Sequence, residues 1–219
     1  MPIAAGECQH GEEKYGVSSL EESLRATLMY GLVPVWALAG LADWFCHRRQ
    51  QMELTAGLGE SLLHLLMLAI LGAAVLAALL LELNALLLLL LLLLAALAHE
   101  GVFWWDLFYA SARRTITPLE QWVHSVQFAV PWVRLVGLAL LHRDQALAVI
   151  GMSGVPADWS LRAKSEPLPA AYVAGVVGAG ALLTCLPFAE ELVRCYRVAR
   201  RAAATPAWPP SGRTPRSAR

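Results

Sequence analysis

Residues 79–106 read LLLELNALLLLLLLLLAALAHEGVFWWD. After Glu82 and Asn84, leucine and alanine alone carry the chain to Ala98. Then, within eight residues, come a histidine, two acids and two tryptophans. A leucine–alanine run of this length has no polar face, so it suits a helix surrounded by lipid or protein. Tryptophans at the end of such a run match the aromatic belt of a membrane interface. The stretch therefore predicts a spanning helix that starts after a tight turn at "LELN" and ends in a polar layer. The leucine run 86–94 itself is low-complexity and carries no chemistry.

The whole chain agrees. Of its 219 residues 58% are hydrophobic and 16% charged, with a mean hydropathy of +0.53, whereas a soluble domain carries about 25% charged residues. A formal net charge of zero gives no footprint for nucleic acid. Cys8, Cys46, Cys185 and Cys195 lie far apart without CxxC spacing, which excludes a zinc ribbon and a disulfide framework. The opening "MPIAAGECQHGEEKYG" has neither the basic nor the apolar region of a signal peptide.

Apolar windows long enough to cross a bilayer lie near 26–46, 61–81, 83–103, 121–141 and 170–189. The expected fold is an all-α integral membrane protein: an up-down transmembrane four-helix bundle over 26–141 plus a fifth transmembrane helix over 170–201. Residues 1–25 are expected outside, with 11–25 able to form a short amphipathic helix. Residues 142–169 form an external connection, and the Pro- and Arg-rich tail 202–219 reads as disordered. If the spans alternate, Arg48 and Arg49, Arg113 and Arg114, and Arg194, Arg197, Arg200 and Arg201 all fall on one face. By the positive-inside rule that face is cytoplasmic, with the N-terminus outside the plasma (inner) membrane.

The polar residues bordering the spans form pairs. "DWFCH" places Asp43 and His47 four apart, "ESLLH" does so for Glu60 and His64, and "EQWVH" for Glu120 and His124; His99 and Asp106 are seven apart. Spacings of four and seven return a side chain to nearly the same helix face. Because the first and third spans end where the second and fourth begin, all four pairs are expected in one layer near the cytoplasmic surface. Trp44, Trp104, Trp105 and Trp122 belong to the same level.

Carboxylates and imidazoles without thiolate are ligands for iron, manganese or zinc. Eight such side chains exceed the needs of one ion and suit two, with carboxylates bridging. Each pair also has a plainer reading. Thr117-Pro118-Leu119-Glu120 is a capping box with Pro at the first helical position, and Asp43 and His47 beside Arg48 and Arg49 could be a solvated helix end. Glu100 faces away from His99 as a neighbour of the site at most. Tyr109 could donate to the site or sit in the belt, and Arg134, within the fourth span, could hold an anionic headgroup or pair with an acid.

In ligand type and bundle geometry, residues 43–124 resemble a membrane version of the ferritin-like di-iron carboxylate bundles, although those use ExxH and this chain has ExxxH. The HxxxH and HxxHH clusters of membrane desaturases and alkane hydroxylases are absent. The functional expectation is a membrane-embedded di-metal centre, di-iron first with manganese or zinc as alternatives. Its ligands would be Asp43, His47, Glu60, His64, His99, Asp106, Glu120 and His124. It would serve an oxidoreductase acting on a lipophilic small molecule or an oxygen species, with an electron donor as partner. The alternatives are a zinc-dependent membrane hydrolase and a metal-ion or proton transporter. The transporter lacks polar residues beyond Glu82 and Arg134 to continue a path.

Overall fold

The computed structural model describes residues 19–204. The tail beyond Ala204 and the first part of the expected amphipathic segment lie outside the described residues. Within them the chain is helical, with one antiparallel bridge between Leu81 and Ala163. Five helices are long and apolar enough to cross a membrane: α1 (Ser19–Arg49), α2 (Gly57–Leu80), α3 (Leu87–Ser111), α4 (Pro118–Leu141) and, after the short α5 (Arg143–Val149), α6 (Ala170–Ala204). Residues 19–25, expected as part of a separate surface helix, instead continue directly into α1.

Three prolines lie inside the long helices, Pro34, Pro131 and Pro187, and a widened stretch precedes the first and the last, whereas α4 passes Pro131 without one. Proline lacks an N–H and crowds the carbonyl four residues back, so it removes one helical hydrogen bond and favours a local adjustment. In α1 a wide π-helical stretch, Thr27–Leu32, precedes Pro34, and in α6 a second one, Ala181–Cys185, precedes Pro187. Each wide stretch relaxes the ladder just before the ring. A third, Leu87–Leu93, opens α3 with no proline to account for it.

The connections set the order of the helices. Gln51 adopts a left-handed conformation (φ 52°) and Gly57 another (φ 62°), which turns the chain from α1 into α2 through a single tight turn at Met52–Leu54. At "LELN" Leu81 is extended, and the Asn84 side chain accepts from the Leu87 N–H at 3.1 Å as α3 begins. The segment after α5 laces this turn in place: Glu82 N donates to Arg162 O, Lys164 N to Leu80 O, and Leu86 N to Asp158 O, at 3.0–3.2 Å. At the other end Thr117 and Glu120 form the full capping box of α4.

In packing, α2 lies along α3 and α6, and α1 lies along α4 and α6, while α3 and α4 touch more lightly. The sixth helix is therefore part of the core assembly rather than an appendage to four others. Polar and apolar residues are distributed inside out. Leu38, Phe45, Leu66, Trp105 and Trp122 face outward, whereas Asp43, His47, Glu60, His64, Asp106, Glu120, His124 and Glu191 are buried.

Candidate metal centre

Ends of α1, α3 and α6 and starts of α2 and α4 meet in one layer, and the buried acids and imidazoles meet there. The pair Asp43 and His47 stays in contact along α1, and contacts between helices join it to the other residues. His124 Nε2 of α4 lies 3.2 Å from Asp43 Oδ1 of α1. His47 Nε2 of α1 lies 3.4 Å from Glu120 Oε1 of α4, 3.4 Å from Asp43 Oδ1 and 3.8 Å from Glu60 Oε1 of α2. His64 Nε2 of α2 lies 3.3 Å from Asp106 Oδ2 of α3. Seven of the eight expected ligands thus share this volume, from four helices.

His99 does not. Its Nδ1 sits 3.3 Å from Glu100 Oε1, and its ring stacks on Phe103. The reason is depth. Seven residues return a side chain to the same face but move it about 10 Å along the axis. His99 and Asp106 therefore cannot share one ion. Nor does Tyr109 join: its hydroxyl donates to Ala56 O at 3.3 Å, and Arg113 lies over its ring.

Two residues that the spacing pattern did not point to are central. Glu191 of α6 is fully buried and accepts from His47 Nδ1 at 2.9 Å through Oε2 and from His64 Nδ1 at 3.1 Å through Oε1. Its α6 neighbours Thr184, Phe188 and Cys195 are buried on the same face, at helical spacing. That stripe was the available signal inside a segment that reads as a basic helix end. Arg114, in the turn after α3, is the other. Its guanidinium binds both oxygens of Glu60, both oxygens of Glu120 and the Gln50 side-chain oxygen. Burial works against the charge of Arg114, and the two carboxylates more than reverse this, so its pKa stands above the ordinary value.

The charge balance defines what the layer can do. Asp43, Glu60, Asp106, Glu120 and Glu191 are five buried carboxylates facing one guanidinium. An uncompensated excess of charge costs on the order of several kcal/mol per ion in a dry interior; protons or a metal cation must supply the rest. The atoms best placed to receive a cation surround His47 Nε2, which is buried, makes no well-aligned hydrogen bond and lies 3.4–3.8 Å from carboxylate oxygens of Asp43, Glu120 and Glu60. If Nδ1 donates to Glu191 and Nε2 carries no proton, the Nε2 lone pair faces three carboxylates, an arrangement that is repulsive until a proton or a metal cation lies between them. Carboxylate-to-histidine bonding of this kind fixes tautomer and ring in metal sites.

Two groups of donor atoms lie close enough to hold an ion: Asp43, His47, Glu120 and His124, and, sharing His47, the trio His47, Glu60 and His64. Gln127 Nε2 reaches Asp43 Oδ2 at 3.4 Å and steadies the first group. A small cavity of about 50 Å³ adjoins the layer, lined by Asp43, His64 and His99 together with Trp36, Phe103 and Phe188. That is room for a few waters or one diatomic molecule.

Arg134 is remote from the layer, ten residues beyond His124 along α4, or about 15 Å. Its Nε and Nη2 are buried without a hydrogen-bond partner. A charged side chain in the middle of a membrane costs about 2.5–3.5 kcal/mol on insertion scales.

No protein-family model matches this chain, and no curated protein or solved structure matches it either. The site has to be read from its own chemistry.

Proposed function

We propose that this chain is an integral membrane metalloprotein, with its centre beneath the cytoplasmic headgroups and its N-terminus outside. The inside-out distribution of polarity supports insertion: lipid would cover the outward Leu, Phe and Trp side chains that the fold leaves bare. The arginines at the ends of α1, α3 and α6 support the orientation.

The observation that carries the metal reading is the buried Nε2 of His47, which lies 3.4–3.8 Å from carboxylate oxygens of Asp43, Glu60 and Glu120 without a well-aligned hydrogen bond, while Glu191 holds the ring from behind at Nδ1. Asp43, His47, Glu120 and His124 would hold one ion. A second, with ligands from Glu60, His64 and Asp106, would require Arg114 to release Glu60. Imidazole and carboxylate donors without thiolate suit iron, manganese or zinc, and carboxylates shared between two ions place iron first in this reading. A redox-active ion would supply one-electron chemistry with an oxygen species or a lipid-soluble substrate reaching the adjoining cavity, with electrons from an external donor. In this reading the protein's own residues do the rest. Glu191 orients two imidazoles, Arg114 neutralises Glu60 and Glu120, and Phe103, Phe188 and Trp36 keep the cavity apolar.

A proton-bearing structural network is the second reading, and Arg114 favours it, because a guanidinium already bridges two of the acids. Elemental analysis of protein purified in neutral detergent without chelator separates the two, combined with optical and paramagnetic-resonance spectra. One to two iron or manganese ions per chain, lost on His47→Ala, supports the centre. Protein that binds none after incubation with iron, manganese or zinc sinks it.

A further inference from the structure

A second cavity, of about 340 Å³, lies at the opposite end of the helices from the polar layer. Its wall is apolar where α1, α2, α4 and α6 contribute Leu28, Val75, Leu138 and Val176. Its remaining lining is rich in cations, Arg25, Arg134 and Lys164, beside His142, whose burial next to Lys164 and Arg25 favours the neutral ring. None of Arg25, Arg134 and Lys164 has a carboxylate within ion-pair distance among the described residues. The lining holds two acids. Glu82 is already engaged by the Ser165 N–H and hydroxyl, at 2.7 and 2.6 Å, and Glu166 is exposed. The laced connection that pins the α2–α3 turn supplies Lys164 and Ser165, so the lining is held by backbone hydrogen bonds rather than by a loose loop.

The decisive atoms are Nε and Nη2 of Arg134, two donors buried in this lining with no acceptor. A guanidinium presents a planar fork that matches a carboxylate or phosphate. Buried donors of a charged group are rarely left without a partner. A cavity at the lower end of the range for small-ligand sites, about 300–1,000 Å³, with an apolar wall and a few convergent cations, fits one kind of occupant.

We propose that this cavity binds an amphiphilic anion, an apolar chain ending in an oxyanion head, with the head on Arg134 and the chain against Leu28, Val75 and Leu138. The head chemistry is shared by free long-chain carboxylates and by anionic phospholipids. The site is independent of the metal reading, because no residue in it belongs to the polar layer.

The test uses delipidated full-length chain in neutral detergent, with laurate and dodecanol as probes of equal chain length. Calorimetry should show one laurate per chain and at least tenfold weaker dodecanol binding. Arg134→Met should lower laurate affinity at least tenfold and leave dodecanol unchanged, Arg134→Lys should recover most of the preference, and Leu138→Trp should weaken both probes by filling the wall. A second arm competes laurate with phosphatidylglycerol or phosphatidylcholine. Competition by phosphatidylglycerol alone makes a membrane lipid the source, and absence of competition makes it a free amphiphile. Equal binding of laurate and dodecanol overturns the proposal, as does an Arg134→Met protein of parental helix content that binds laurate like the parent. Metal content, measured on the same samples, should be the same in all variants.

Discussion

The imidazoles of His47 and His64 lie parallel, 6° apart in plane and 4.6 Å between centroids, and each directs its Nδ1 to a different oxygen of Glu191. One carboxylate on α6 thereby fixes the rotation of two rings on α1 and α2. Glu190, next in sequence, points to the rim instead, where it accepts from Trp44 Nε1 at 2.9 Å and Arg48 Nη1 at 2.7 Å. Glu191→Gln should therefore weaken metal affinity about 10–100-fold, the usual cost of losing such a supporting carboxylate. Glu190→Gln should leave it within a factor of two or so of the parent, about. Competition against a chelator of known affinity measures both, and equal effects would remove Glu191 from its role.

Arg114 provides the next expectation. Arg114→Met keeps the length of the stem but leaves Glu60 and Glu120 facing each other without their cation. Metal-free protein should lose about 3–5 kcal/mol of stability, the cost of breaking a buried ion pair from one side. Added divalent metal should restore part of that loss if an ion can take the place of the guanidinium. Thermal unfolding in detergent, with and without metal, reads both effects. A variant as stable as the parent in chelator would show that the two acids carry protons instead.

Glu120 both caps α4 and faces His47, and two substitutions separate these tasks. Thr117→Ala removes the cap and should cost about 0.5–2 kcal/mol with metal content unchanged. Glu120→Gln keeps a residue suited to the capping box but removes the charged oxygen, so metal content or spectrum should change while helix content holds. Full metal with an unchanged spectrum would take Glu120 off the ligand set.

A packing prediction concerns Gly59. A Cβ there would collide with the phenol ring of Tyr109, which crosses from α3 onto the start of α2. Gly59→Ala should cost about 1–3 kcal/mol through overpacking, and Tyr109→Leu in the same chain should recover much of it. Gly72, whose added Cβ would meet nothing, is the control and should tolerate alanine. Unfolding temperatures of the three variants decide the matter.

Much of this arrangement is legible along the chain because it depends on properties of one helix at a time. The carboxylate–histidine spacing of four at Asp43, Glu60 and Glu120 fixes a face, and alternation of the spans fixes the end at which the faces meet. What one helix cannot show is azimuth relative to the others. Hence the contacts between helices, Asp43 with His124 and His47 with Glu120, could not be read from spacing, although the contact of Asp43 with His47 could. His99 and Asp106 share a face but not a depth, and the face alone suggested a pair. Glu191 has no histidine four residues away, and its arginine-rich surroundings read as a topology signal. Arg114 was hidden for the same reason: a residue that marks the cytoplasmic side of a span looks solvated until tertiary structure folds it inward.

The wide stretch Ala181–Cys185 in α6 lies between the half of the helix that lines the cavity at Arg134 and the half that carries Glu191. A π-helical turn accommodates about one residue more than an α-helical turn over nearly the same rise. It therefore acts as a phase shifter between the two halves of the span. Removing one residue there would leave an unbroken apolar helix of almost unchanged reach, and hydropathy would hardly register the loss. Yet every side chain on one half would swing by about 100° relative to the other. Glu191 would then face away from the imidazole pair, or Tyr172 would lose Met29 O, to which its hydroxyl donates at 3.2 Å. Length variation in this helix is thus tightly constrained even where its composition is not, and an insertion or deletion of one leucine would be more disruptive than most substitutions of that leucine.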